Sequence, residues 1–216
     1  SNGDASSREL PLEKYTVKEV SVPSNLVLDD TPVNVELNYK DQLTPVIFGG
    51  ITATNKFQRT NITLTKVENT WDQIFTENHG LELKGAMIEL YAAQDIYEGQ
   101  YLSGELVGVE ITNSVGQVKF HNLPIGEYYA IEKEAPKGYQ LFTGKWFISA
   151  KYDSTNVKTE VTETQKTLEN EVIYGRVNLV KTDGKHALLK DAIFELYTSN
   201  DELITTLETN EDGRLI

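Results

Sequence analysis

One block of this chain is written twice. Leu83-Lys84-Gly85-Ala86-Met87-Ile88-Glu89-Leu90-Tyr91 returns as Leu189-Lys190-Asp191-Ala192-Ile193-Phe194-Glu195-Leu196-Tyr197, a step of 106 residues from 83 to 189. Upstream, Ile62-Thr63-Leu64-Thr65-Lys66 matches Val177-Asn178-Leu179-Val180-Lys181, a step of 115 from 62 to 177. The middle copy therefore carries 9 extra residues (115 against 106), an insertion near 69–82. Two further echoes lie toward the N-terminus. Leu10-Pro11-Leu12-Glu13-Lys14-Tyr15-Thr16-Val17-Lys18-Glu19 matches Leu123-Pro124-Ile125-Gly126-Glu127-Tyr128-Tyr129-Ala130-Ile131-Glu132, from 10 to 123, a step of 113. Thr52-Ala53-Thr54-Asn55 matches Thr167-Leu168-Glu169-Asn170, from 52 to 167, a step of 115. A chain that repeats itself at such a spacing is built from domain-sized units.

The copies are unequal. Residues 60–173 hold every block, 1–57 only the last blocks and 174–216 only the first. The expected organisation is part of a domain, a whole domain, then part of another. The links Lys56–Asn61 and Ile173–Arg176 are short, which suggests rigid end-to-end stacking.

Within the blocks, apolar and polar residues alternate. Tyr15–Val20, Val33–Tyr39, Ile62–Lys66 and Val118–Phe120 have period two and are rich in Val, Ile, Thr and Tyr. This reads as half-buried strands. Turn signals separate them at Asn113–Gly116, Pro124–Gly126, Pro136–Gly138, Asp183-Gly184 and Asp212-Gly213. Only Trp71–Glu77 and Ala92–Tyr101 suggest a short helical turn. The expected fold class is all-β, with tandem Ig-like or prealbumin-like sandwiches, one complete and two partial.

Composition narrows the chemistry. The 216 residues carry 20 Lys+Arg against 33 Asp+Glu, a net charge of −13. Phosphate backbones repel such a chain, which argues against nucleic acid as a partner. There is no cysteine, so disulfides, thiolate metal sites and a cysteine nucleophile are excluded. No apolar run approaches the ~20 residues that span a membrane. Ser1–Asp4 opens no signal peptide, so a mature segment or a cut piece of a longer chain is expected. His79, His121 and His186 lie far apart without metal-ligand spacing, so no metal and no cofactor are expected. Neither a nucleophile-elbow motif nor a phosphate loop is present. Acidic pairs such as Asp29-Asp30 read as turn residues.

Strand parity singles out three residues of the middle copy. Lys66 shares a face with Ile62 and Leu64, Glu132 with Tyr128 and Ala130, and Asn170 with Leu168 and Val172. All three are expected to point into the core, where unpaired charge is costly. The partial copies repeat the pattern with Lys181, Glu19 and Asn55. The bland reading of each residue alone is a buried ion pair or a bulge that turns it to water. Recurrence in separate copies weakens that reading.

The blocks resemble the B-type repeats of Gram-positive collagen adhesins, the CnaB/SpaA-like domains also found in sortase-assembled pilus shafts. The most specific match is Tyr128-Tyr129-Ala130-Ile131-Glu132-Lys133-Glu134-Ala135-Pro136-Lys137-Gly138-Tyr139, which looks like the family's E-box. The N-terminal copy departs from it, with Ser24-Asn25-Leu26 in place of Lys-Gly-Tyr. The resemblance implies an intramolecular isopeptide bond, with Lys66 as nucleophile, Asn170 as acceptor and Glu132 as catalytic acid. Glu19, Asn55 and Lys181 are the corresponding candidates of the partial domains. The chemistry has a physical basis. Desolvation favours the neutral forms of an amine and of a carboxylic acid, and contact gives the pair a high effective molarity. One turnover per molecule is implied, so the chain is not an enzyme in the usual sense.

The expected function is a stalk or shaft segment of a bacterial cell-surface adhesin or pilin, extracellular and wall-anchored by resemblance. Neighbouring repeat domains are the expected partners. Either the C-terminal part of one molecule completes the N-terminal part of the next, head to tail, or the chain is a piece of a longer array. The alternative function is an adhesive module for a host extracellular-matrix protein. Trp71 and Phe75 are then the candidate contacts, although core capping is the plainer role for both.

Overall fold

The computed structural model describes residues 3–69, 83–96 and 101–216. The expected helical turn at Trp71–Glu77, the insertion with Trp71 and Phe75, and His79 lie outside these residues. Among the described residues there are eleven strands and no helix. Two compact units divide the chain between Val172 and Ile173.

In the first unit, β1 (Lys14–Val17) and β2 (Val33–Glu36) form an antiparallel pair. The complete domain follows. Its strands are β3 (Arg59–Glu68), β4 (Met87–Ala92), β5 (Leu106–Ile111), β6 (Gln117–Pro124), β7 (Gly126–Glu134), β8 (Trp146–Ala150) and β9 (Val161–Asn170). They make a three-stranded sheet, β6-β3-β9, and a four-stranded sheet, β5-β4-β7-β8. Ile62 and Leu64 of β3, Ile88 and Leu90 of β4, Val118 and Phe120 of β6, Tyr128 and Ala130 of β7, and Leu168 of β9 form one buried cluster. This is the all-β sandwich expected from period two, with alternate residues of both sheets interdigitating.

One pairing breaks the antiparallel pattern. β3 and β9 run parallel over ten register pairs, from Arg59↔Val161 to Glu68↔Asn170. The two carry the candidate nucleophile and acceptor, so this ladder positions the site. At its upper end the Lys66 N–H donates to Gly116 O at 2.8 Å. Gly116 has φ 72, and a Cβ there would meet Lys66 O at 3.1 Å and Leu83 Cβ at 3.0 Å. Both the backbone conformation and the space demand glycine.

Residues 3–57 attach to the complete domain within the same unit. Leu28 N donates to Val157 O, Tyr152 Oη to Leu26 O, and Lys158 pairs with Asp30 at 2.7 Å. Gln58 is 1% exposed and is wedged in the junction. Its Oε1 accepts from Asp153 N at 2.7 Å, and its Nε2 donates to Thr159 O at 3.1 Å.

The second unit contains β10 (Ile193–Tyr197) and β11 (Leu203–Glu208), an antiparallel pair. Two expectations need correction. Val177–Lys181, read as a strand, forms only an isolated bridge at Val180↔Arg214. Its counterpart β3 is held on both sides by β6 and β9, whereas here Lys181 N donates to Gly213 O at 2.7 Å, as Lys66 N does to Gly116 O, and no strand lies on the other side. Over Ala92–Tyr101, Ala92 ends β4 and Ile96 bridges Tyr101, and the described part contains no helical turn.

Candidate functional site

Lys66, Glu132 and Asn170 meet in the core of the complete domain. Their residues are 1%, 5% and 3% exposed. β3 and β9 bring lysine and asparagine onto one inner face. The register pairs Lys66 with Leu168, so Asn170 is its diagonal neighbour. Glu132 descends from β7 in the opposite sheet, on the same inward parity as Tyr128 and Ala130.

Lys66 Nζ lies 3.0 Å from Glu132 Oε1. The other carboxylate oxygen, Oε2, accepts from Asn170 Nδ2 at 2.8 Å and from the Phe142 backbone N–H at 2.9 Å. Asn170 Nδ2 also donates to Gln140 O at 2.8 Å. Two acceptors on one nitrogen fix the amide orientation. The Lys66–Glu132 contact is close by distance but is not aligned as a hydrogen bond. Lys66 Nζ, Glu132 Oε1 and Asn170 Oδ1 thus lack an aligned partner among the described residues. Such orphaned buried atoms are costly and call for a reason.

Burial lowers the pKa of Lys66 from the ordinary lysine value, against the opposing pull of Glu132. Its ammonium faces the Trp146 ring, 4.3 Å from the centroid. Trp146 stacks in turn on Phe142, with ring centroids 4.1 Å apart. A cleft of about 450 Å³ opens beside the site, lined by Asn170, Gln140, Phe142 and Trp146 among others. Trp146, the Phe142 N–H and the Gln140 carbonyl escaped the sequence reading. Two of the three act through the backbone, which composition does not reveal.

The N-terminal segment reproduces the acceptor half of this arrangement. Asn55 Nδ2 donates to Glu19 Oε2 at 2.6 Å and to Val27 O at 3.1 Å, and Asp29 N donates to Glu19 Oε2 at 3.0 Å. Val27 and Asp29 stand where Gln140 and Phe142 stand in the complete domain, from 27 to 140 and from 29 to 142, each a step of 113. No lysine stands against Glu19 among the described residues. Lys181, in the other unit, donates from Nζ to its neighbour's carbonyl, Thr182 O, at 2.9 Å. No group of acidic and histidine residues among those described has the makings of a metal site.

Residues 60–165 match the SpaA family, described as a prealbumin-like fold domain. No curated protein matches the chain. Among solved structures, the Bacillus anthracis TIE protein is 24% identical with a TM-score of 0.63, over 95% of this chain and 34% of that one. The chain thus spans about a third of that structure's length, and the likeness is one of fold. The group B streptococcus pilus 2b backbone protein is 19% identical over 72% of this chain and 52% of that one, with a TM-score of 0.40. Shaft pilin spaA from Lactobacillus rhamnosus GG is 18% identical over 72% and 67%, with a TM-score of 0.36.

Proposed function

With residues 60–165 a prealbumin-like domain of the SpaA family, we propose that this chain is a structural stalk or shaft segment of a bacterial cell-surface adhesin or pilin. Its complete domain, 60–173, closes an intradomain amide between Lys66 and Asn170, with Glu132 as the acid. Residues 1–57 and 174–216 are parts of two further domains of the same kind. The observation that carries the reading is one buried carboxylate in contact with both an amine and a carboxamide.

The chemistry needs a neutral amine beside a neutral acid. Transfer of a proton from the Lys66 ammonium to Glu132 Oε1 yields both. Oε2 already accepts two N–H groups, so Oε1 is the oxygen free to take the proton. Nζ then attacks Asn170 Cγ, and the carboxyl proton assists at the amide. The Nζ–Cγ bond forms, the Cγ–Nδ2 bond breaks, and Glu132 relays the surplus Nζ proton to the departing ammonia. The adjoining cleft offers that ammonia an exit. Such a bond needs no oxidant and cannot be reduced, which suits a mechanically loaded chain without cysteine outside the cell.

Intact mass under denaturing conditions tests this. The expected value is about 17 Da below the sequence mass, one ammonia per bond, with the full mass restored by Glu132→Ala. A full mass in the unaltered chain, or a deficit that survives Glu132→Ala, overturns the reading.

A second reading, a host-binding adhesive face, has one observation in its favour. Tyr91 and Tyr129 stack at 5.1 Å on the outer face of the four-stranded sheet, beside Phe147, which is 64% exposed. Exposed aromatic patches of this kind mark contact surfaces. Retention of the chain on immobilised matrix proteins, lost on Tyr129→Ser with Phe147→Ser, would favour it over a plain stalk.

A further inference from the structure

We propose that the turn Thr112–Gly116 is a clasp that positions the lysine nucleophile, with Asn113 and Gly116 as its positioning residues. The inference rests on the amide formation proposed for Lys66 and Asn170.

The ladders of β3 leave one side of the lysine short. On the β9 side, which carries Asn170, Lys66 lies inside the register opposite Leu168. On the β6 side the register ends at Thr65↔Gln117, one residue before Lys66. The Gly116 carbonyl supplies the missing bond, accepting from the Lys66 N–H at 2.8 Å. That bond fixes the root of the nucleophile on the side away from Asn170.

The turn is shaped for this contact. Asn113 Oδ1 accepts from the N–H groups of Val115 at 3.0 Å and Gln117 at 2.9 Å, and Gly116 N donates to Asn113 O at 2.9 Å. Gly116 is thereby held at φ 72. Thr112, only 4% exposed, ties the turn to the segment that leads into β4. Its Oγ1 donates to Leu83 O at 2.7 Å and accepts from Ala86 N at 2.9 Å. Gly116 is wedged between Lys66 and Leu83, where a Cβ would stand 3.1 Å from Lys66 O and 3.0 Å from Leu83 Cβ.

The second unit makes the same bonds around its own lysine. Asn210 Oδ1 accepts from the N–H groups of Asp212 and Arg214, each at 3.0 Å. Thr209 Oγ1 donates to Leu189 O at 2.9 Å and accepts from Ala192 N at 3.0 Å. Gly213 has φ 65, its carbonyl accepts from Lys181 N at 2.7 Å, and a Cβ there would meet Lys181 O at 2.6 Å. The two turns differ at Ser114-Val115 and Glu211-Asp212 yet keep the threonine, the asparagine and the glycine. A plain chain reversal needs only the asparagine and glycine chemistry. The recurrent grip on a lysine backbone is additional, and it falls on the residue type that reacts.

Alignment sets the rate of such a step, and small misplacements of the reacting groups are costly. Lys66 reaches Glu132 across the sandwich on a long side chain, so a shift at its backbone is carried to Nζ. A side chain at position 116 presses on Lys66 O and produces that shift.

A time course of intact mass in cell-free synthesis tests the clasp. Gly116→Asn tolerates the positive φ but adds a Cβ, and Asn113→Ala removes the acceptor that shapes the turn. Both are expected to lose ammonia about threefold to thirtyfold more slowly than the unaltered chain and to reach the same final mass. Asn113→Asp keeps the accepting oxygen and should react at the unaltered rate. Tyr128→Phe is the control for stability. It loosens the core at Pro124, which pairs with Arg59 at the opposite end of β3, and should also react at the unaltered rate. Unaltered rates in both Gly116→Asn and Asn113→Ala overturn the proposal. So does an equal slowing in Tyr128→Phe, which would make the effect one of stability. A full mass in the unaltered chain would instead overturn the amide itself and leave Lys66 a free amine. The clasp is then judged by NMR titration of the Lys66 side chain. Gly116→Asn should bring its midpoint back toward the ordinary 10.5 as solvent enters, and Tyr128→Phe should not. A midpoint that Gly116→Asn leaves in place overturns the positioning role.

Discussion

The Lys66 ammonium and the Glu132 carboxylate stand 3.0 Å apart with neither side chain exposing any surface. A buried pair of this kind gives little net stability, yet removal of one partner strands the other charge in the core. In an Asn170→Ala background, where no amide can form, Lys66→Met should cost about 3–5 kcal/mol. Glu132→Gln added to it should return most of that loss. Urea unfolding of the series measures both steps. A double variant no more stable than the single one would rule out a coupled pair.

The depressed Lys66 pKa predicts a pH dependence of the same Asn170→Ala protein. In the unfolded chain the lysine titrates at its ordinary 10.5, and in the folded chain it titrates lower. Between those two values the unfolded state binds more protons, so stability rises with pH. Below the folded value both states are protonated and the full penalty applies. Above 10.5 the penalty is gone. Lys66→Met in the same background should abolish the rise. Denaturation midpoints across the alkaline range check this, and an equal slope in both proteins would remove Lys66 as its source.

Trp146 covers the lysine, with its ring centroid 4.3 Å from Nζ. A cation–π contact of about 0.5–2 kcal/mol holds the amine in place and also favours its charged form. Trp146→Leu keeps an apolar cover but removes the ring and its stack on Phe142. If positioning dominates, amide formation in freshly synthesised chain should slow by between about twofold and thirtyfold. A time course of intact mass in cell-free synthesis resolves this, and an unchanged or faster course would show that the ring is not a positioning group.

The placement of Lys66, Glu132 and Asn170 was legible because strict period two in Ile62–Lys66, Tyr128–Glu132 and Leu168–Val172 leaves one choice of face. The sandwich was legible for the same reason. Trp146 was not, because its contact with Lys66 depends on how β8 lies beside β7, which no local pattern encodes. Val177–Lys181 reads as a strand from composition yet makes only the bridge Val180↔Arg214, since strand structure needs a paired partner along its length. No helix forms in the described part of Ala92–Tyr101, where Gly104 N donates to Ala92 O at 2.8 Å and Ile96 N to Tyr101 O at 2.8 Å. Such bonds override weak local helical preference.

The repeated tyrosine turns one bond into a comparison. Tyr128 Oη donates to Pro124 O at 2.7 Å in the core, and Tyr15 Oη donates to Pro11 O at 2.9 Å at an exposed site. Both tie a strand to the chain four residues earlier. Tyr128 is fully buried, and burial drives its pKa well above the ordinary tyrosine value. Tyr128→Phe leaves the Pro124 carbonyl without its donor in a dry setting, at a cost of about 1–3 kcal/mol. At Tyr15 water replaces the lost donor, so Tyr15→Phe should change stability by less than about 0.5 kcal/mol. Chemical denaturation of the two variants distinguishes these. Equal losses would mean that the Tyr15 hydroxyl is as shielded from water in solution as that of Tyr128.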